Sequence, residues 1–356
     1  MKRFTYSSRF AISFFVLSLL MVGPSLFADG GPNHQVRNLH FGVSGGNVKD
    51  TTVLFCCSGT LGALVQDTQG VQYILSNNHV LGLSGRATAG DDISQPGLID
   101  NGCQIPTIVA DFTVAPALTS NVDCAIAQLR PGLMDGTGFI EDIGTISSVP
   151  RTPTVGLSVA KSGRTTGFTT GTISSTTTTV SVQYPLRCGI NAGPTRTFTN
   201  QVVINSTTFS AGGDSGSLIV SNNNCHQPVA LLFAGSSTST IGNPISLVLT
   251  RLSASLGRTV SFVGSTCTST ASLASAGQEP SDASVEFATA VMREREKNLM
   301  SRAGVIGVGI GASDDNASEA VIVVYVDVTA KATTRVPKSI NGVKVKTIFT
   351  EPFVAY

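Results

Sequence analysis

Tryptophan is absent from the 356 residues, tyrosine and methionine occur five times each, and charged side chains make up only 13% of the chain. Neither sign of charge is in excess. Lysine and arginine number 23 against 22 acidic residues, and a net charge of +1 gives no field that would gather nucleic acid or an acidic surface. Nucleic acid is therefore not an expected partner. CxxC spacing and a close histidine pair are also missing, so no metal site is expected. Long helical patterns are scarce. What is abundant is glycine, 37 in all, together with threonine, serine and valine, a composition that favours a β-rich protein with many turns. With 41% apolar residues the chain can bury more than one core, and two or three domains are expected.

The amino terminus carries Lys2, Arg3 and Arg9, then an apolar stretch from Ala11 to Val22 that Gly23 and Pro24 break. This stretch is too short for a comfortable membrane span and reads as a secretory signal over residues 1–28, cut after Ala28. No cysteine stands at that cut, so no lipid anchor is indicated. The expected location is extracellular or periplasmic, without stable membrane insertion once the signal is removed. Seven cysteines in an exported chain permit at most three intramolecular bridges and leave one over, and the sequence does not assign the pairs. Cys124 directly follows Asp123 on an apparent strand, which suits a buried or bridged residue better than a nucleophile.

Residues 29–57 read as a leader that includes His34 and His40. From Ser58, alternating Leu61, Ala63 and Val65, a turn at Asp67 to Gly70, and the run ending at His79 indicate two strands. A Gly-, Asp- and Pro-rich loop follows to about Gln104, and Thr107 to Val114 and Ala125 to Leu129 resume strand character, enough to close a first barrel. Beyond Pro150 to Pro153, a Thr- and Val-rich run punctuated by Gly163, Gly167 and Gly171 indicates further twisted strands, with Thr176 to Thr179 on an exposed hairpin. Leu218 to Val220 and Val229 to Ala234 complete a second barrel. Residues 264–283 have the composition of a linker. Residues 284–356 form a separate small α+β module: a helix beginning near Asp282 or Ser284, on which Val285, Ala288, Val291, Met292 and Leu299 recur at helical spacing, then strands at Val305 to Ile310, Ala320 to Val328 and Val343 to Phe349.

Three residues carry the chemistry. His79 lies in SNNHVL, Asp123 in NVDCAIAQL and Ser215 in GGDSGS. A serine hydroxyl is a poor nucleophile at neutral pH and needs a histidine to remove its proton and an acid to fix the histidine's tautomer. Backbone amides of Gly213 and Ser215 are the expected oxyanion hole, because glycine at 213 can turn its N–H inward and Gly216 lets neighbouring backbone approach. The order His, Asp, Ser, with these contexts and separations, resembles the chymotrypsin/trypsin group over about residues 58–263. VALLFAGSS, NPI at Asn243 to Ile245 and KSGRTTG from Lys161 are similar to a bacterial branch of those peptidases. The segment from Val305, with GVGIG and AVIVVYVDV, is similar to a small module that precedes the protease in many relatives and follows it here.

The resemblance implies a mainly β fold of two packed six-stranded-type antiparallel barrels, a serine endopeptidase acting on protein or peptide substrates, and no cofactor. Two departures are notable. Ser217 stands where the family has a second glycine, and Phe209 stands where trypsin has an acidic residue, so cleavage after Lys or Arg is not expected. Phe233, Ala234 and Gly235 resemble the substrate-pairing strand, and with Phe209 they are the expected substrate-binding residues, suited to small or apolar side chains. No activation sequence offers Asp214 a free amine.

Other readings are weaker. An α/β-hydrolase elbow needs glycine at position 217 and a histidine after the acid, but only His226, in a polar turn, follows Ser215. GVGIG opens into ASDDNAS rather than a helix, which suits glycine on a strand, not a dinucleotide loop. Asp314, Asp315 and Asn316 lack an EF-hand pattern and read as a solvated turn. The alternative from another class is a catalytically silent binding protein on the same scaffold.

Overall fold

The computed structural model describes residues 32–190, 193–268 and 279–356. The expected signal segment and residues 269–278 of the expected linker lie outside the described residues. The first barrel contains β1 (Val43–Asn47), β2 (Gly59–Leu61), β3 (Ala63–Asp67), β4 (Gln72–Ser76), β5 (Asp92–Gln95), β6 (Thr107–Val114) and β7 (Ala125–Leu129). A small pair, β8 (Phe139–Ile140) and β9 (Gly144–Thr145), leads to the second barrel. This comprises β10 (Ser158–Gly163), β11 (Gly167–Thr172), β12 (Ser175–Gln183), β13 (Thr195–Asn205), β14 (Leu218–Ser221), β15 (Pro228–Gly235) and β16 (Ser239–Pro244). The helix Ile245–Leu256 returns the chain to the first barrel, where β17 (Val260–Phe262) pairs with β3.

Hydrogen bonding orders the first sheet β17-β3-β4-β7-β6-β5-β1-β2. Only Gly62, whose N–H donates to Leu75 O at 2.9 Å, separates β2 from β3, yet β2 is one edge of the sheet and β3 lies at the far side next to the edge strand β17, so the link brings the two sides of the sheet together. The β3–β4 turn follows from Asp67, whose carboxylate accepts from Gln69 N and Val71 N while Gly70 takes φ +77°. Leu64, Ile74, Ile93, Val109 and Ile126 fill this barrel, with Val248 and Leu252 of the helix packed onto the same core. Leu157, Val159, Ile173, Ile204 and Leu232 fill part of the second. The fold is thus mainly β, with two packed antiparallel barrels.

Two features differ from the sequence-based expectation. The segment expected as a leader holds β1, which pairs with β2 and β5. Its two glycines hide it, since glycine weakens a strand signal, yet a Cβ on Gly45 would run into the Leu61 side chain. His34 is likewise buried, with Nδ1 against Gly42 O and Nε2 against the Asp142 carboxylate. The Thr176 to Thr179 run is also not an exposed hairpin. It lies on β12, between β13 and a strand of the final module, and Thr178 and Thr179 are buried.

That module contains the helix Asp282–Met300, capped by Ser281 accepting from Ser284 N, then β18 (Val305–Ala312), β19 (Ala320–Asp327), β20 (Ser339–Ile340), β21 (Val343–Thr350) and β22 (Phe353–Ala355). Ala288, Val291, Met292 and Leu299 pack on Val308, Ile322 and Val324 of its sheet. β18 pairs antiparallel with β12, so the module's sheet continues that of the second barrel. The GVGIG glycines make this approach feasible. A Cβ on Gly309 would strike Thr178, and one on Gly311 would come within 2.7 Å of Ser174 O.

Candidate active site

β4 and β7 are adjacent and antiparallel, with Ser76 opposite Ala125. Residues just beyond the end of β4 and just before the start of β7 are therefore neighbours, and this brings His79 and Asp123 together. A short helix, Asn78–Leu81, turns the imidazole back toward Asp123. Asp123 Oδ2 accepts from His79 Nδ1 at 2.6 Å and from Tyr184 Oη at 2.7 Å, while Oδ1 accepts from His79 N at 3.1 Å. The Asp123 backbone is held as well, N donating to Asn243 Oδ1 at 2.9 Å and O accepting from Asn77 Nδ2 at 2.7 Å. Asp123 is fully buried, so these donors replace the water its charge would otherwise require.

Burial pushes the His79 pKa down, but the charge and hydrogen bond of Asp123, a bond to Tyr356 O and the charge of Asp50 outweigh it, leaving the imidazole above its ordinary value. Burial and Asp123 together hold the Tyr184 phenol well above its usual range, so it donates as a neutral hydroxyl. Cys124 is unbridged and buried, and its thiol is raised by burial and by Asp123, so it is neutral. The other six cysteines pair as Cys56–Cys103, Cys57–Cys188 and Cys225–Cys267.

Ser215 comes from the second barrel, in the loop before β14. Gly213 and Gly216 take φ of +98° and +96°, which only glycine adopts without strain. Close packing joins this loop to the first barrel. Thr60 N donates to Ser215 O at 2.8 Å, and a Cβ on Gly59 would lie 2.6 Å from Val80 and 2.9 Å from Ser215 O. The loop therefore meets the first barrel beside the helix that carries His79. Among the described residues, Gly213 N and Ser215 N donate to no protein acceptor. Ser215 Oγ donates to Phe233 O at 3.3 Å and makes no hydrogen bond to His79.

Asp214, which sequence reasoning left without a partner, is anchored from below. Its carboxylate accepts from Thr165 N, Thr166 N, Thr166 Oγ1 and Ala211 N at 2.7–3.1 Å, and lies 3.4 Å from Lys161 Nζ. Both side chains of this ion pair are fully buried. Lys161 sits in the KSGRTTG run, so a signal for it existed. Tyr184 had none, because a phenol's role toward Asp123 depends on how β12 ends in space.

Of the expected substrate-binding residues, Phe233, Ala234 and Gly235 lie at the end of β15, and Phe209 is fully buried in the second barrel's core. β15 is paired along this edge by β22, with Ala355 opposite Ala234 and Val354 opposite Gly235. Tyr356 follows directly. Its backbone O lies 2.9 Å from His79 Nε2, and its hydroxyl donates to Ser236 O at 2.9 Å. Beside it opens a cavity of about 270 Å³ whose walls include Asp50, Ser58, Arg86, Arg187 and Gly213.

No protein-family model and no curated protein matches the chain. Its structural neighbours are serine proteases. A glutamic-acid-specific serine protease that uses a histidine triad in substrate binding is 20% identical, covering 62% of this chain and 98% of its own, with a TM-score of 0.43. The Nocardiopsis protease is 17% identical over 60% of this chain and 95% of its own, TM-score 0.41. Thermobifida fusca protease A is 17% identical over 64% and 98%, TM-score 0.42.

Proposed function

We propose that this protein is an exported serine endopeptidase. The observation that carries the reading is the buried Asp123–His79 pair at 2.6 Å beside a Ser215 loop held in left-handed glycine geometry. Ser215 Oγ attacks the carbonyl carbon of a peptide bond while His79 Nε2 takes its proton. The Gly213 and Ser215 N–H groups receive the negative charge that develops on the carbonyl oxygen. His79 then returns the proton to the leaving amine as the C–N bond breaks, which leaves an acyl-enzyme, and water repeats the sequence to release the acid. Asp123 keeps the proton on Nδ1 and stabilises the imidazolium, and Tyr184 and Asn243 keep Asp123 in place. Lys161 and Asp214 hold the loop from beneath.

Three disulfides support export, and no described helix is long and apolar enough to cross a membrane. A second reading, a silent binding protein, is favoured by one observation: Ser215 and His79 are hydrogen-bonded to other partners rather than to each other. A fluorophosphonate probe separates the two. Labelling that disappears in Ser215→Ala supports the peptidase, whereas folded protein that stays unlabelled even after β22 has been displaced supports the binder.

A further inference from the structure

β22 and Tyr356 lie along the Phe233 to Gly235 edge of β15, the segment that the sequence resemblance assigns to substrate pairing. β22 pairs antiparallel with β15 on one side and parallel with β12 on the other, with Phe353 opposite Val182 and Val354 opposite Gln183. Tyr356 then presents its side chain to the wall formed by the end of β15 and its backbone oxygen to His79. A Cβ on Gly235 would collide with the Tyr356 hydroxyl, so glycine at 235 is what makes room for the ring. The ring packs against the core that contains Phe209, and its hydroxyl finds Ser236 O as acceptor. A buried phenol with a satisfied hydroxyl is a good fit, whereas a buried lysine there would have no carboxylate at Phe209 to meet.

The backbone contact has a chemical consequence. A backbone oxygen can only accept, so the 2.9 Å contact requires a proton on Nε2, while Asp123 holds the proton on Nδ1. The imidazole therefore has no free lone pair for the Ser215 hydroxyl, and Ser215 is fully buried. We infer that the cleft takes chain segments with an aromatic residue on the acyl side of the scissile bond, and that residues 353–356 are its resident occupant, holding the site closed. This rests on the peptidase reading. Neighbouring positions refine the substrate class. Ala355 is buried against β15, so a small residue fits there, while Val354 is 38% exposed, so that position is permissive. Phe353 is buried against Tyr325 of β19, ring centroids 5.8 Å apart, a contact with the module that retains the strand. An occupant tethered this way competes at a high effective concentration, and free substrate must outcompete it.

The test uses the full chain and its Tyr356→Gly variant, with circular dichroism confirming the fold of both. The variant is expected to react with a fluorophosphonate at least tenfold faster than the parent, and to cleave peptide p-nitroanilides ending in Tyr or Phe at least tenfold better than those ending in Leu or Lys. Equal labelling rates, or preference for Lys or Leu, would overturn the inference. Fluorescein-labelled Phe-Val-Ala-Tyr provides a readout independent of catalysis, with the variant expected to bind it at least tenfold tighter than the parent by anisotropy. Binding without any phosphonate reaction would keep the occupancy and refute the peptidase, and equal binding by both proteins would refute the occupancy.

Discussion

Replacing Lys161 with methionine removes the cation from a fully buried pair and leaves the Asp214 carboxylate in place. The pair itself need not be net stabilising. Burial drives the Lys161 pKa down, and attraction to Asp214 only partly offsets this, as expected when desolvation outweighs Coulombic gain. Breaking such a pair from one side is different, because the remaining charge is unpaired, and the typical loss is about 3–5 kcal/mol. Four hydrogen bonds to Asp214 survive the substitution, which favours the lower end, about 3 kcal/mol, or a fall in Tm of roughly 6–12 °C. Denaturant unfolding of Lys161→Met, Asp214→Asn and the double variant measures the coupling. The double variant should be less destabilised than the sum of the singles by about 1–3 kcal/mol. A loss under about 1 kcal/mol for Lys161→Met, or additivity within about 0.3 kcal/mol, would refute the claim that this lysine neutralises the carboxylate beneath the Ser215 loop.

Other expectations follow from the same geometry. Asp123→Asn should lower turnover about 10⁴-fold relative to its parent while the protein stays folded, the scale seen in comparable triads, and a loss below tenfold would remove Asp123 from the mechanism. His79 is raised above its ordinary value of about 6.5, so the Nε2–H bond to Tyr356 is complete below that pH and is lost as pH rises through the folded-state value. Phosphonate labelling of the parent should therefore increase above pH 6.5. In Tyr356→Gly the midpoint should move down, because loss of the ring that anchors residue 356 releases its backbone oxygen from Nε2, while Asp123, Asp50 and Tyr184 remain near the imidazole. An unchanged midpoint argues against the contact. Gly216→Ala adds a Cβ at φ +96° that would meet Ser76 Oγ and Thr60 O, and should destabilise by about 2–4 kcal/mol in urea with an unchanged m value.

The sequence by itself determined the β-rich character, the limit of three bridges with one cysteine left over, and the candidate trio His79, Asp123 and Ser215. These are local or order-dependent features: strand alternation, turn residues at Asp67 and Gly70, and glycines flanking a serine all act within a few residues. It did not reveal β1, because Gly45 and Gly46 suppress strand character until Leu61 is seen to need the space. Tertiary structure alone decided which cysteines meet, that Lys161 answers Asp214, and that Tyr184 supports Asp123. It also decided that the Thr176 to Thr179 run is covered rather than exposed, because β18 docks on it through glycines that read simply as strand glycines. The placement of Tyr356 against His79 is the extreme case, since 277 residues separate them and their contact depends on β22 inserting between two strands of the second barrel. Local sequence pattern encodes how a segment folds, but contact between distant segments is set by which surfaces remain open once those segments have packed.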